Sequence, residues 1–255
     1  MRDLREENPT MATKIAVIGS KGRMGQAVLN LARSDKNFVV VGEGDHGDDL
    51  SKVMANAQAV VDFSHRSATE AVLKAAQAVQ AACVMGTTGH TEAERGLITA
   101  ASHKIPLIHS PNFSMGVNLL FYLTSQAAKA LPEGFDPEVI EIHHRLKKDA
   151  PSGTAQRLVE VLAEARRTKP EVVARHGRTG EPGERTEDEI GVHAVRGGDV
   201  VGDHTVLLAG EGERMELSHR ASSRDVFARG ALRAAKWLVG KPAKRYEMTD
   251  VLGLS

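Results

Sequence analysis

The chain has 255 residues, and its 33 Lys+Arg balance 33 Asp+Glu to a formal net charge of +0. That balance offers no overall field for nucleic acid and makes a small-molecule site the default. The single cysteine, Cys83, excludes an internal disulfide and a multi-cysteine zinc site, so no metal is expected and a reducing, cytoplasmic setting is. In chain order, residues 1–14 mix charges without an apolar core, which predicts a flexible N-terminal tail over 1–11, with Met11 as an alternative start, rather than a signal peptide. The run KIAVI at 14–18, the glycines after it and a helical pattern through Met24, Val28 and Leu31 predict strand, tight turn and helix. FVVVG at 38–42, AVVDF at 59–63 with a helix over 68–81, CVMG at 83–86 and PLIHS at 106–110 continue the alternation. Near-continuous apolar strands separated by helices predict the α/β class, a doubly wound parallel sheet covered on both faces.

The pattern changes after Asn112. An apolar helix over 117–130, a strand at 138–143, a helix over 154–167 and a polar, Gly-rich stretch at 176–189 follow. Alternating segments at 204–208 and 215–219 around Gly210 and Gly212 predict a hairpin, and together these predict a second, α+β domain with antiparallel strands. The last helix, over 225–239, is expected to return to the first domain, which gives 12–113 plus 225–255 for one domain and 114–224 for the other. No run approaches the ~20 apolar residues that a membrane helix needs.

The turn after the first strand reads Gly19-Ser20-Lys21-Gly22-Arg23-Met24-Gly25, or G-x-x-G-x-x-G. Glycines there allow a tight turn, and the helix start offers N–H groups and partial positive charge to a pyrophosphate, which predicts a dinucleotide, NADH and/or NADPH. Simple packing of a helix on a strand would use the same glycines, but three further features agree. Asp45 lies 20 residues after Gly25, where a carboxylate would accept ribose hydroxyls and favour NADH. Lys21, Arg23 and His46 stand close enough in sequence to counter a 2′-phosphate, so both cofactors stay open. Asp62-Phe63-Ser64 and Gly86-Thr87-Thr88-Gly89 fall just past the carboxyl ends of predicted strands, the edge where open α/β sheets bind ligands.

The stretch 138–154 carries the most chemistry. Five of the six residues from His143 to Lys148 can be cationic, and Pro151-Ser152-Gly153-Thr154 opens a helix with N–H groups and hydroxyls suited to a carboxylate. A histidine among cations and a bound dianion is a good proton donor. A solvated loop followed by a plain N-cap is the bland alternative, and a nucleic-acid patch lacks interleaved aromatics.

Residues 138–155 resemble the signature of dihydrodipicolinate reductases, E-x-x-E-x-H-H-x-x-K-x-D-x-P-S-G-T-A. The resemblance continues through GSKGRMG at 19–25, DFS at 62–64, GTTG at 86–89, PNFSMGVN at 111–118, GDVVGDHT at 198–205 and SHRASSRDVFARGA at 218–231. It implies a Rossmann-like first domain, a second domain for substrate binding and oligomerisation, and a homotetramer. It also implies reduction of 4-hydroxy-tetrahydrodipicolinate, a small cyclic dicarboxylate, with no nucleic-acid or membrane partner. By resemblance His143 is the proton donor and Lys147 its helper, with His144, Ser152, Gly153 and Thr154 gripping substrate carboxylates. Gly19, Arg23, Met24, Asp45, Gly86, Thr88, Asn112 and Phe113 match cofactor-contacting positions; Lys21, Gly22, Gly25, His46, Phe63 and Thr87 join them from the reading of the turns. His65 stands where many members have arginine, and 45–59 is shorter than in some relatives; both departures bear on cofactor preference. An amino-acid dehydrogenase or a nucleotide sensor would explain the first half but has no need of HHRLKKDAPSGTA.

Overall fold

The computed structural model of the chain describes residues 11–131 and 134–254, so the expected tail over 1–11 lies outside the described residues except for Met11. The chain divides into two compact units, one running to Ser114 and resuming over Phe227–Gly253, the other spanning Met115–Val226.

The first unit contains β1 (Thr13–Ile18), α1 (Arg23–Ser34), β2 (Phe38–Gly44), α2 (Leu50–Met54), β3 (Ala59–Asp62), a 3₁₀ turn (Arg66–Ala68), α3 (Thr69–Ala78), β4 (Ala82–Met85), α4 (Glu92–Ser102) and β5 (Leu107–His109). The second contains α5 (Met115–Ala130), β6 (Asp136–His143), α6 (Gly153–Ala165), α7 (Pro170–Val173), β7 (Ala174–His176), β8 (Ile190–Arg196), β9 (Gly202–Gly210) and β10 (Glu213–Ala221). Then α8 (Asp225–Leu238), β11 (Arg245–Tyr246) and α9 (Met248–Leu252) complete the first unit.

In the first unit the sheet order is β11-β5-β4-β3-β1-β2, and every ladder is parallel. This is the doubly wound α/β sheet that the apolar runs predicted. All four residues of β3 and of β4 are buried, because helices cover both faces, which is why these strands read as unbroken apolar runs. Ile15, Val17, Val61 and Val84 pack with Leu29 of α1 and Ala231 of α8 on one face. Ala16, Val60, Cys83 and Met85 pack with Leu73 of α3 and Ile98 of α4 on the other. The chain runs from β1 outward to β2, then resumes on the opposite side of β1 with β3, so the strand order reverses between β1 and β3. Ligand crevices open at such a reversal, at the carboxyl ends of the strands.

The second unit corrects one expectation. Its sheet, β10-β9-β6-β8-β7, is mixed: β6, β9 and β10 pair antiparallel as the hairpin predicted, but β6 with β8 and β8 with β7 pair parallel. The reason is the crossover, since a strand that returns over α6 comes back in the same direction. Val139, Val192, Val206 and Leu208 meet Leu120, Leu158 and Leu162 of α5 and α6 in one core. The burial of β6 alternates strictly, and its buried phase reads Pro137, Val139, Glu141, His143. Two polar residues therefore occupy core positions, which is costly unless both are paired. Among the described residues no helix is long and apolar enough to cross a membrane.

Candidate functional site

The dinucleotide candidates gather at the carboxyl edge of the first sheet. Gly19 has φ +77°, and a Cβ on it would lie 2.5 Å from the Phe63 carbonyl oxygen, so only glycine lets the turn after β1 touch the turn after β3. Gly22 stands at the N-cap of α1 and supplies no side-chain cap, which leaves the first amides of the helix for an outside anion. Lys21, Gly22 and Arg23 are exposed, Met24 is half-buried and Gly25 is packed inside. Asp45 follows β2; its Oδ2 accepts from the Lys21 N–H and its Oδ1 from the His46 N–H, both at 2.8 Å. These bonds, the His46 amide first, hold its carboxyl below the usual range and keep an anion beside the turn. A glycine-lined turn, an uncapped helix start and a carboxylate beyond β2 fit a dinucleotide.

The turns after β3, β4 and β5 back one another. A Cβ on Gly86 would fall 2.1 Å from Phe63 Cε1, so the β4 turn closes down on the Phe63 ring. That ring stands edge-on to Phe113, with centroids 6.0 Å apart. Phe113 is itself 1% exposed, so its ring supports Phe63 from the core. Thr88 is exposed, whereas Thr87 turns inward and donates its hydroxyl to Asp62 Oδ2 at 2.8 Å. Asp62, fully buried, also accepts from the Ser64 N–H at 3.0 Å, and burial pushes its carboxyl up. His109 reaches the Thr87 carbonyl at 3.2 Å, and Ser114 N–H donates to Asn112 Oδ1 at 2.9 Å. His65, the departure noted above, caps the 3₁₀ turn, its ring accepting from the Ser67 N–H at 3.3 Å.

In the second unit β6 delivers Glu141 and His143 to the buried face two residues apart. Glu141 is 0% exposed, and its carboxylate meets four donors. His143 Nδ1 lies 2.6 Å from Oε2, Arg196 Nη1 and Nη2 donate to Oε2 and Oε1 at 2.7 and 2.8 Å, and the Ser152 N–H donates to Oε1 at 3.0 Å. Burial alone would raise the Glu141 carboxyl, but the Arg196 fork, His143 and Ser152 together hold it below the usual range. Arg196 also donates to the Asp149 carbonyl at 2.8 Å. His204, on β9, stands edge-on to His143 with centroids 5.2 Å apart, and its Nε2 lies 3.0 Å from Ser152 Oγ. Burial, then the proximity of His143, brings His204 down to about 4, so it is neutral at ordinary pH.

Ser152 caps α6 through its hydroxyl, which accepts from the Ala155 N–H at 3.2 Å. Its own amide donates to Glu141, and Gly153 and Thr154 follow it in the first turn of the helix. Lys147 Nζ pairs with Asp149 at 2.8 Å, and this bond chiefly lowers the Asp149 carboxyl. Arg224 Nη2 lies 3.5 Å from His144 Nε2. Glu141 thus links His143 to the start of α6, with Lys147 on the loop between them, whereas the His144 ring is directed to Arg224. Sequence reasoning did not single out Arg196 or His204; for His204 the signal was a histidine on the inward phase of an alternating strand.

Comparison with known proteins places these features in context. The family described as "Dihydrodipicolinate reductase, N-terminus" matches residues 13–113, and "Dihydrodipicolinate reductase, C-terminus" matches 116–252. A 4-hydroxy-tetrahydrodipicolinate reductase of Akkermansia muciniphila is 48% identical over 241 residues, covering 94% of this chain and 98% of the relative. The enzyme of the same name from Anaeromyxobacter dehalogenans is 44% identical, covering 95% and 98%. Among solved structures, a dipicolinate-bound dihydrodipicolinate reductase from Paenisporosarcina sp. TG-14 shares the fold with a TM-score of 0.79 at 24% identity, covering 94% of this chain and 99% of that one.

Proposed function

This chain belongs to the dihydrodipicolinate reductase family, and from that premise we propose that His143, helped by Lys147, supplies the proton of the reaction. The chain reduces 4-hydroxy-tetrahydrodipicolinate to tetrahydrodipicolinate with NADH or NADPH. The dinucleotide supplies a hydride to the substrate ring. Gly19, Gly22, Arg23 and Met24 would hold its pyrophosphate, Asp45 its ribose, and Phe63, Gly86, Thr88 and Asn112 its nicotinamide end.

The substrate is a cyclic dicarboxylate. Gly153 and Thr154 at the start of α6 grip one carboxylate; Lys147 and His144 face the other. Holding the ring by both carboxylates converts proton delivery into a local step. His143 then protonates the carbon next to the one that takes the hydride. The observation that carries this reading is the 2.6 Å contact between His143 and a fully buried Glu141 on the core phase of β6, beside the helix start.

We also infer that the chain works in the cytoplasm as a homotetramer. Ile140, Ile142 and Leu207 stay half-buried and Val195 stays 46% exposed on the sheet face away from α5 and α6, a surface suited to a second copy. Light scattering tests the assembly. The activity is tested by NADH oxidation with freshly generated 4-hydroxy-tetrahydrodipicolinate: oxidation that depends on that substrate supports the assignment. NADH binding without substrate-dependent turnover returns the protein to the class of nucleotide sensors.

A further inference from the structure

We propose that Glu141, locked in place by the guanidinium fork of Arg196, is the positioning residue that fixes the His143 tautomer and leaves Nε2 as the atom that delivers the proton. The proposal rests on the reading of His143 as proton donor and names what makes that donor work.

The geometry carries it. Glu141 sits on the inward phase of β6, next in that phase to Val139, in a place where an apolar side chain would pack without any polar partner. A buried ion pair is weak evidence for stability, because well-packed apolar residues of similar volume often serve as well or better. The pair with Arg196 therefore asks for a role other than holding the fold. Both Glu141 oxygens are committed: Oε1 takes Arg196 Nη2 and the Ser152 amide, Oε2 takes Arg196 Nη1 and His143 Nδ1. An ionised carboxylate only accepts, so Nδ1 carries hydrogen in both charge states of the ring. The fork prevents the carboxylate from rotating away, since Arg binds a carboxylate with two parallel bonds.

The step then balances. The protonated ring has hydrogen on both nitrogens; the Nε2–H bond breaks, its electron pair stays on Nε2, and the proton goes to the substrate carbon. What remains is the neutral Nδ1–H ring, already bonded to Glu141, and water restores the proton at Nε2. The opposite tautomer would leave Nδ1 facing the carboxylate lone pairs with no hydrogen between them. The same carboxylate ties the Ser152 amide, so the orientation of the acid and the start of the carboxylate-gripping helix are set by one group. The charged and titratable groups around His143 are Glu141 on its own strand, Arg196 on β8, His204 on β9, and Lys147 and Asp149 on the loop after β6. His204 is neutral, and Lys147 is paired with Asp149. Glu141 is thus the anion in direct contact with the ring.

The test begins with the unaltered enzyme. Side-chain ¹⁵N NMR of neutral His143 is expected to show hydrogen on Nδ1, and a neutral ring protonated on Nε2 overturns the proposal without any variant having to fold. Glu141→Gln is then expected to lower kcat by roughly 10²- to 10⁴-fold, as for loss of a correctly poised general acid, with dipicolinate affinity little changed. His143→Ala separates the two layers: near-normal turnover in that variant removes the donor assignment itself. A disabled His143→Ala beside a Glu141→Gln enzyme with unchanged kcat removes only the role of Glu141.

Discussion

The Thr87 hydroxyl donates to the buried Asp62 carboxylate at 2.8 Å, and this bond ties the turn after β4 to the end of β3. Burial raises the Asp62 carboxyl above its ordinary value of 3.8. A carboxyl raised on folding favours the folded state below its unfolded value, and that advantage is lost as pH rises through the folded value. Asn at this position keeps the shape, accepts from Ser64 and can donate to Thr87, without the buried charge. Asp62→Asn is therefore expected to match or exceed the wild-type Tm at neutral pH, with its advantage shrinking on acidification. Asp62→Ala leaves the Ser64 amide and Thr87 hydroxyl unpaired at about 1–3 kcal/mol each and lowers Tm. Melting both variants across pH checks the order.

Gly86 and Phe63 give a second prediction. A Cβ at position 86 would lie 2.1 Å from the ring, which already leans on Phe113, so Gly86→Ala must push the ring or the turn aside. Overpacking of this kind costs about 1–3 kcal/mol. The KM for NADH is expected to rise more than the KM for the dicarboxylate. Steady-state titration of each substrate measures the split.

Asp149 holds Lys147, the proposed substrate lysine, in an ion pair at 2.8 Å. The Asp149 side chain is 62% exposed, and an exposed pair is worth about 0.2–1 kcal/mol. Asp149→Asn frees the ammonium and is expected to tighten dipicolinate binding by no more than about fivefold, since roughly 1.4 kcal/mol corresponds to tenfold. Calorimetric titration with dipicolinate reads the change, and weaker binding would show that Asp149 instead orients the lysine.

Glu138 anchors the polar stretch before β8. It accepts from Arg178 at 2.7 Å, His193 at 2.6 Å and Arg185 at 3.2 Å. Burial works to raise its carboxyl, yet Arg178, His193 and Arg185 bring it down to about 2. A depressed carboxyl stabilises the fold fully above its unfolded value near 4.5 and loses that contribution as pH falls toward about 2. Glu138→Gln is expected to lower Tm at neutral pH, with the two melting curves converging in acid.

The sequence made the first unit legible because its strands are buried on both faces and read as unbroken apolar runs. Helix α4 escaped notice: Gly96 and the charges from Glu92 to Arg95 blur its periodicity, although Thr91 and Glu94 spell a capping box that could have announced it. Strands β7 and β8 were hidden by the polar linker between them, and β11 has only two residues. In the site, local spacing shows a cationic run from His143 to Lys148 ahead of a helix start, while the roles of His143 and Lys147 are what the family resemblance implies. The Glu141–Arg196 and Ser152–His204 bonds join residues 55 and 52 positions apart, and only the folded sheet brings such partners together.

The most direct measurement of the central claim is the kcat of His143→Ala with freshly generated 4-hydroxy-tetrahydrodipicolinate and NADH, beside its affinity for dipicolinate. Loss of a general acid predicts turnover roughly 10²- to 10⁴-fold below wild type with the dicarboxylate still bound. A variant that binds dipicolinate and turns over near the wild-type rate would contradict the account.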